Sequence, residues 1–316
     1  MPARFHRWSG LTLASNRALP ELPLADPVAS PAWTIALRKG RAPARPGRRW
    51  FHQWQLADGK RWALFAREGR GYVIRFVDYG DFEIDVDRRI IRGYRRAGAA
   101  ELTQRHLLLD QVLPLLVGDR DHLAVHASVV ATGRGAIVLL GASGHGKSSL
   151  AARLAQRGHA VLTDDCCVIR KSGSQFDIIP SYPGVRLRPD AITEAWGRGE
   201  DGAAVAHYST KLRVDRAHGV PFSESPMPVG CIYVIAPLAQ LQNARDISID
   251  ELSPRRAMLD LVDYTFHLDI HDEARLRQSF ELAGDVAAAH PSRALVFPWD
   301  LTQADRVADA VLNNLP

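Results

Sequence analysis

The sequence GAIVLLGASGHGKSSLAARLAQRGHAVLTDD, Gly135–Asp165, contains a complete pattern for binding phosphate. The apolar run from Ala136 to Leu140 has the length and the side chains of a buried strand. The next eight residues, Gly141 to Ser148, match every fixed position of the phosphate-loop pattern G-x-x-x-x-G-K-[ST]. A helix is predicted from Ser149 to Arg157. Strand, glycine-rich loop and helix in this order predict an α/β domain that binds a phosphate group or a nucleotide.

The residue types in this loop suit close contact with phosphate oxygens. Glycines let the backbone curl so that N–H groups point inward, and the helix N-terminus adds partial positive charge. Lys147 is predicted to reach the β- and γ-phosphates, and the Ser148 hydroxyl to bind Mg²⁺. Only five of the 40 basic residues are lysines. Because lysine is so rare in this chain, a glycine-rich turn would seldom carry one at this position by chance. The predicted nucleotide-binding residues are Gly141, Ser143, Gly144, His145, Gly146, Lys147, Ser148 and Ser149.

Two aspartates follow the loop helix at the end of the next predicted strand. Gly158 is predicted to end the helix, and Ala160–Thr163 to form a short strand before Asp164 and Asp165. Ligands bind outside the carboxyl ends of strands in open α/β sheets, so both carboxylates are expected beside the phosphate loop. One of them can hold Mg²⁺ next to Ser148 while the other accepts a proton from an incoming hydroxyl. A plain acidic turn is the alternative.

The rest of the chain divides into a β-rich part, residues 1–100, and a nucleotide-binding part, residues 101–316. A helix with a bend near Pro114 is predicted over residues 101–117 and forms the junction. A strand is predicted over Leu123–Val130, a hairpin tip over Ala57–Lys60 and an exposed loop over residues 42–49. Alternating runs before residue 100 predict strands at Trp33–Leu37, Trp50–Leu56, Arg61–Ala66, Gly71–Phe76 and Phe82–Val86. Later predicted elements are Phe176–Arg188 and Ala204–Val214 (strand with turn or loop), the strands Cys231–Ile235 and Ala294–Phe297, and the helices Pro254–Phe266, Asp272–Ala288 and Gln303–Leu315.

Composition indicates an ordinary globular protein, because 46% of the 316 residues are hydrophobic and 24% are charged. The net charge of +5 permits a nucleic acid partner, but no dense basic run with aromatics favours one. Three cysteines without C-x-x-C spacing indicate a reducing, cytoplasmic compartment. Neither a signal peptide nor a membrane span is predicted, since no apolar run is long enough. The sequence allows a homo-oligomer but does not decide the oligomeric state.

The segment from His126 to Asp165 resembles the catalytic core of the HPr kinase/phosphorylase family, which shares its P-loop fold with the ATP-dependent phosphoenolpyruvate carboxykinases. The resemblance lies in a strand histidine, His126 in VHASVV, the loop GASGHGKS, and the motif R-G-H-x-x-x-x-D-D from Arg157 to Asp165. From its position alone, His126 would be taken for a core or edge residue of a strand. Two looser matches, YPGVRLRPDA (Tyr182–Ala191) and LSPRRAMLDLVDYTF (Leu252–Phe266), resemble HPr-kinase-related proteins found beside peptide-modification genes, including lasso peptide clusters.

The resemblance implies an ATP- and Mg²⁺-dependent kinase that phosphorylates a serine of a protein or peptide, for example the C-terminal serine of a lasso-type precursor. Asp164 would then be the general base, and His126 would sit against it and tune it. Asp165 and Ser148 would hold Mg²⁺, while Lys147 would contact the γ-phosphate. The catalytic residues implied are therefore Asp164, His126 and Lys147, and the metal ligands are Ser148 and Asp165.

The sequence departs from HPr kinases at Ser149, where that family carries an acidic residue, and no counterpart of their phosphorylase signature loop is found. The N-terminal part also differs from the HPr kinase N-terminal domain, which argues against HPr as the substrate. Two alternatives stay open, a carboxykinase-like or small-molecule phosphotransferase and a non-enzymatic module that senses nucleotide. Lys211 and Arg213 would contact phosphate or an acidic substrate, or lie on a solvated strand edge.

Overall fold

The computed structural model describes residues 3–43, 47–56, 58–197 and 202–316, and it is a mixed α/β structure with several sheets. Ala57 of the predicted hairpin tip and residues 44–46 of the predicted exposed loop lie outside the described residues. The chain divides into two compact units, Met1–Leu113 with Ala206–Ser209 and Pro114–Val205 with Thr210–Pro316. Within the described ranges, no helix is both long enough and apolar enough to cross a membrane.

The first unit is built on one sheet, so the β-rich character predicted for the N-terminal part is confirmed. Its strands are β1 (Arg4–Trp8), β2 (Leu11–Ser15), β3 (Trp33–Lys39), β4 (Trp50–Gln55), β5 (Arg61–Glu68), β6 (Gly71–Phe76), β7 (Gly80–Asp85) and β8 (Ile90–Arg95). They lie in the order β1-β2-β3-β8-β7-β6-β5-β4. β3 runs parallel to both β2 and β8, and the other neighbours are antiparallel. Large apolar side chains such as Trp8, Phe65, Phe76 and Phe82 are almost fully buried and form its core.

The helix predicted over residues 101–117 is interrupted. It consists of α1 (Glu101–Leu107), a π-helical turn (Leu108–Val112) and the short α2 (Pro114–Val117). The Leu113 N–H donates to the Leu108 carbonyl at 2.9 Å, one residue further back than in an α-helix. Proline lacks an N–H and fits the first turn of a helix, so α2 begins at Pro114.

The second unit carries the predicted phosphate loop in a second, larger sheet. The strands of this unit, in its larger and smaller sheets together, are β9 (His122–Val125), β10 (Ala127–Thr132), β11 (Gly135–Leu140), β12 (Val161–Thr163), β13 (Cys167–Ser172), β14 (Gln175–Ile179), β15 (Val185–Leu187), β16 (Ala203–Ala204), β17 (Leu212–Val214), β18 (Met227–Ile235), β19 (Ser248–Glu251) and β20 (Ser292–Val296). Its further helices are α3 (Lys147–Gln156), α4 (Pro189–Trp196), α5 (Leu238–Asn243), α6 (Pro254–Asp263), α7 (Glu273–Ala289) and α8 (Ala304–Asn313).

The strands of the larger sheet follow the order β12-β10-β11-β18-β14-β13-β9, with β20 beside β18 and β19 beside β20. β11, β18 and β20 are parallel, so their carboxyl ends meet at one edge. Apolar residues of α3 and α8 pack on one face of the sheet, and those of α6 and α7 belong to a second apolar cluster. Strands β15, β17 and β16 form a small separate sheet. The layered α/β arrangement fixes the phosphate loop, which joins β11 to α3, at the common edge.

Candidate active site

The phosphate loop has the curled backbone that its glycines predict. Gly141, Gly144 and Gly146 have φ angles of +154°, +85° and +92°, and residues other than glycine rarely adopt this backbone conformation. A Cβ atom added to Gly141 would lie 3.3 Å from the Cβ of Ile235 at the end of β18. Helix α3 begins at Lys147, directly after this turn. Its N-terminus and the loop N–H groups form a cradle that suits phosphate oxygens.

Lys147 is folded back onto its own loop. It is only 4% exposed, and its Nζ donates to the carbonyls of Gly141 at 2.7 Å and Ala142 at 3.0 Å. Burial lowers the pKa of Lys147 to about 8 because the charged amine loses hydration. A phosphate group in the loop would supply the missing negative charge and favour the protonated amine.

His126 lies where the chain changes strand partners, and this corrects the prediction of one strand over Leu123–Val130. β9 pairs with β13, β10 pairs with β11, and His126 stands in the break between them with its N–H donating to Tyr264 O at 2.8 Å. The ring Nδ1 lies 2.9 Å from Asp165 O and therefore carries the proton, because a carbonyl can only accept. Nε2 then accepts from Lys147 Nζ at 3.0 Å. Burial and the nearby lysine lower the pKa of His126, so the ring is neutral.

Asp164 is buried and its carboxylate accepts three hydrogen bonds. One oxygen accepts from the hydroxyls of Ser128 and Ser148, the latter at 2.9 Å, and the other accepts from the Arg186 N–H at 2.8 Å. Only 3% of the residue is exposed. Burial, reinforced by the charge of Asp165, raises the pKa of Asp164. The carboxylate therefore holds the first turn of α3 and the start of β15 together.

Asp165 has a different environment although it is the next residue. Its φ of +65° is unusual for a residue other than glycine. Its carboxylate accepts from the Arg186 guanidinium at 2.7 Å. Burial acts to raise the pKa of Asp165, but the hydrogen bond and charge of Arg186, together with the nearby His126 and Lys211, outweigh burial and lower it. Asp165 is thus an ionised carboxylate.

A pocket of ≈ 280 Å³ opens in front of the phosphate loop, and Asp165 lines it while Asp164 does not. His126, Lys147 and Lys211 contribute further charged or polar groups to its wall. The other predicted loop residues in the wall are Ser143, Gly144, Gly146, Ser148 and Ser149. Gly141 and His145 lie outside this lining, as does Arg213, which pairs with Asp215 at 3.6 Å. The pocket thus combines the glycine-rich loop with the ionised carboxylate of Asp165.

The geometry differs from the expected pairing of Ser148 with Asp165. Ser148 donates to Asp164, while Arg186 occupies the carboxylate of Asp165. Sequence reasoning gave Arg186 no role, although it lies within the quoted match YPGVRLRPDA. Among the described residues, no group of three or more His, Cys, Asp or Glu side chains could hold a metal by itself. The pair Ser148 and Asp164 nevertheless offers hard oxygen ligands of the kind Mg²⁺ takes alongside phosphate and water.

Two cysteines follow the aspartates directly. Cys166 is 2% exposed and Cys167 is fully buried, and the third cysteine, Cys231, is also buried in β18. Burial raises the pKa of the Cys167 thiol far above its usual range, and that of Cys231 in the same direction. Both groups therefore remain neutral thiols rather than nucleophilic thiolates.

No protein-family model and no curated protein sequence matches this chain. Among solved structures, the chain is similar to the Hpr(Ser) kinase/phosphatase from Coxiella burnetii, with 11% sequence identity and a TM-score of 0.35. The likeness covers 60% of this chain and 88% of that one. Similarity at this TM-score and identity establishes neither activity nor substrate. Both must be inferred from the residues of the site itself.

Proposed function

We propose that this chain is an ATP- and Mg²⁺-dependent phosphotransferase whose second unit is a P-loop kinase domain of the HPr kinase type. The observation that carries the proposal is the pocket in which the loop lysine, Lys147, and an ionised aspartate, Asp165, face the same space. A phosphate cradle alone would support nucleotide binding. A carboxylate beside it adds a group that can orient a hydroxyl toward the γ-phosphate.

Ser148 and Asp164 are the proposed Mg²⁺ ligands. Their oxygens already lie 2.9 Å apart in a hydrogen bond, so the neutral Ser148 hydroxyl and the Asp164 carboxylate could both be ligands of one cation. When bound, Mg²⁺ would supply positive charge that neutralises the negative charge developing on the transferred phosphoryl group. This assignment exchanges the roles that the sequence resemblance implied for the two aspartates.

Asp165 is the proposed acceptor of the substrate hydroxyl's hydrogen bond. Arg186 fixes its carboxylate from one side, and the Nδ1–H of His126 fixes its main-chain carbonyl from the other. An aspartate with a lowered pKa is a weak base, but phosphoryl transfer through a loose transition state needs positioning more than basicity. His126 also accepts from Lys147 and so aligns the lysine with the loop.

The proposed acceptor is a serine hydroxyl on a protein or peptide, in a cytoplasmic setting where ATP is present. Support for a serine comes from the resemblance of the ordered motifs His126, Gly141–Ser148 and Asp164-Asp165 to the HPr kinase family. The proposal leaves the identity of the peptide to experiment, including the C-terminal serine of a lasso-type precursor.

The test is incubation of the full chain with γ-labelled ATP, Mg²⁺ and a randomised peptide library that contains serine, followed by mass spectrometry. The matched control library carries alanine in place of serine, and Lys147→Ala serves as the inactive protein. We expect label on serine peptides with the wild-type protein alone. Tight ATP binding without transfer to any peptide would favour the nucleotide-sensing module. Turnover of phosphoenolpyruvate or oxaloacetate with nucleotide would instead favour the carboxykinase-like alternative.

A further inference from the structure

The pocket has a second, apolar end that the proposed chemistry does not use. The segment after β20 contributes Phe297, Trp299 and Leu301 to the pocket wall. Trp299 and Leu301 are 43% and 38% exposed, which is high for large apolar residues. Exposed apolar side chains that line a concave site mark a place where a ligand covers them.

This apolar end begins directly at the phosphate loop. A Cβ atom on Gly146 would lie 3.4 Å from Cζ3 of Trp299 and 3.5 Å from Cζ of Phe297. Gly146 immediately precedes Lys147, the residue that would contact the β- and γ-phosphates. A ligand whose phosphates fill the loop can therefore extend onto the indole without leaving the pocket.

The backbone around Trp299 is fixed on both sides. Its N–H donates to Leu241 O at 3.2 Å, and the next residue, Asp300, accepts from the Thr302 N–H at 2.9 Å through its side chain. That hydrogen bond caps the turn that leads into α8, whose residues Ala304 and Val307 also line the pocket. The indole is thus held on a rigid turn although its surface is exposed.

We propose that Trp299 is the stacking surface for the nucleobase of the bound nucleotide, with Leu301 as a further apolar residue at the same end of the pocket. This inference rests on the proposed nucleotide-dependent function. The two ends of the pocket match the two ends of a nucleotide, since Lys147 and Lys211 face the phosphates and the indole faces the base. A purine gains the most from such a surface because it offers the larger π-face.

The test compares ATP with inorganic tripolyphosphate, which carries the phosphates without the base. In isothermal titration, Trp299→Ala should weaken ATP binding roughly ten-fold to hundred-fold, the usual loss of one base–aromatic stack, and leave tripolyphosphate binding unchanged. Trp299→Phe should retain most of the ATP affinity. Phe280→Ala is the matched control, because Phe280 is an aromatic residue of α7 with a similar exposure of 47%, and it should bind both ligands like the wild type.

The outcomes separate this inference from the function on which it rests. If Trp299→Ala binds ATP as the wild type does, or loses both ligands equally, the stacking surface is refuted while nucleotide binding stands. If the wild-type protein binds neither ligand, the proposed function itself fails. If the indole contacts an apolar side chain of the acceptor instead, Trp299→Ala will change the KM for peptide and not the affinity for ATP, which also refutes the inference.

Discussion

The two units of this protein bury charged side chains in different ways. In the first unit, Asp81 is held by two hydrogen bonds from Arg75 at 2.7 and 3.0 Å, and Asp110 lies 2.6 Å from the ring of His106. Each of these two carboxylates has a partner within six residues along the chain. In the second unit, Lys147 is buried with a lowered pKa beside a pocket, and adjacent aspartates have pKa values shifted in opposite directions. Removing one partner of a buried, locally paired charge destabilises a fold, whereas strongly shifted pKa values at a cleft are typical of a functional site.

The largest effect that would sharpen this contrast is expected from the two aspartates. Asp165→Asn should lower kcat for phosphoryl transfer by about 10²–10⁴-fold while ATP still binds, because the neutral amide lacks the negative charge that orients the hydroxyl and accepts its proton. Asp164→Asn should instead raise the Mg²⁺ concentration required for half-maximal nucleotide binding. Steady-state kinetics and Mg²⁺ titrations of both variants check the assignment. The opposite pattern, with Asp165→Asn changing the Mg²⁺ requirement, would restore the roles that the sequence implied.

An intermediate effect concerns pH. Nucleotide phosphates should raise the pKa of Lys147 above its value of about 8 in the free protein. ATP affinity should therefore be greatest below pH 8. Above pH 8 the free protein loses the Lys147 proton while the ATP complex still holds it, so the affinity decreases by at most about ten-fold per pH unit. Titrations of ATP between pH 7 and pH 10 measure this slope. Lys147→Arg keeps its charge throughout this range and should flatten the profile, and an equal slope in both proteins would contradict the prediction.

The smallest effect is expected in the first unit. Arg75→Ala leaves the buried carboxylate of Asp81 without its main partner and should lower the free energy of unfolding by about 1–3 kcal/mol. Denaturant unfolding of the wild type and the variant measures this loss, and Arg88→Ala is the control because its side chain is 75% exposed. ATP affinity should be unchanged in both variants. A loss of nucleotide binding in Arg75→Ala would show that the contrast between the units is too simple.

The strand, glycine-rich loop and helix over β11 and α3 could be predicted because their residue types follow local rules of glycine conformation and strand length. The different surroundings of Asp164 and Asp165 could not be predicted, since they depend on the tertiary fold and on the left-handed backbone at Asp165. Arg186 reaches both aspartates from β15, and that contact is set by tertiary folding. The break at His126 was missed for the same reason. Leu123–Val130 has the pattern of a single strand, and the difference in strand partners is not encoded locally.

The buried cysteines have a practical consequence for spectroscopy. Cys166, Cys167 and Cys231 are all shielded from solvent, and the thiols of Cys167 and Cys231 stay protonated at neutral pH. Reagents such as maleimides attack exposed thiolates, so the natural cysteines of the folded chain should react with them only slowly. A single cysteine introduced at an exposed position such as Phe280 would accept a fluorophore without removal of the natural thiols. Nucleotide binding could then be followed by energy transfer in a chain that differs from the natural one at a single residue.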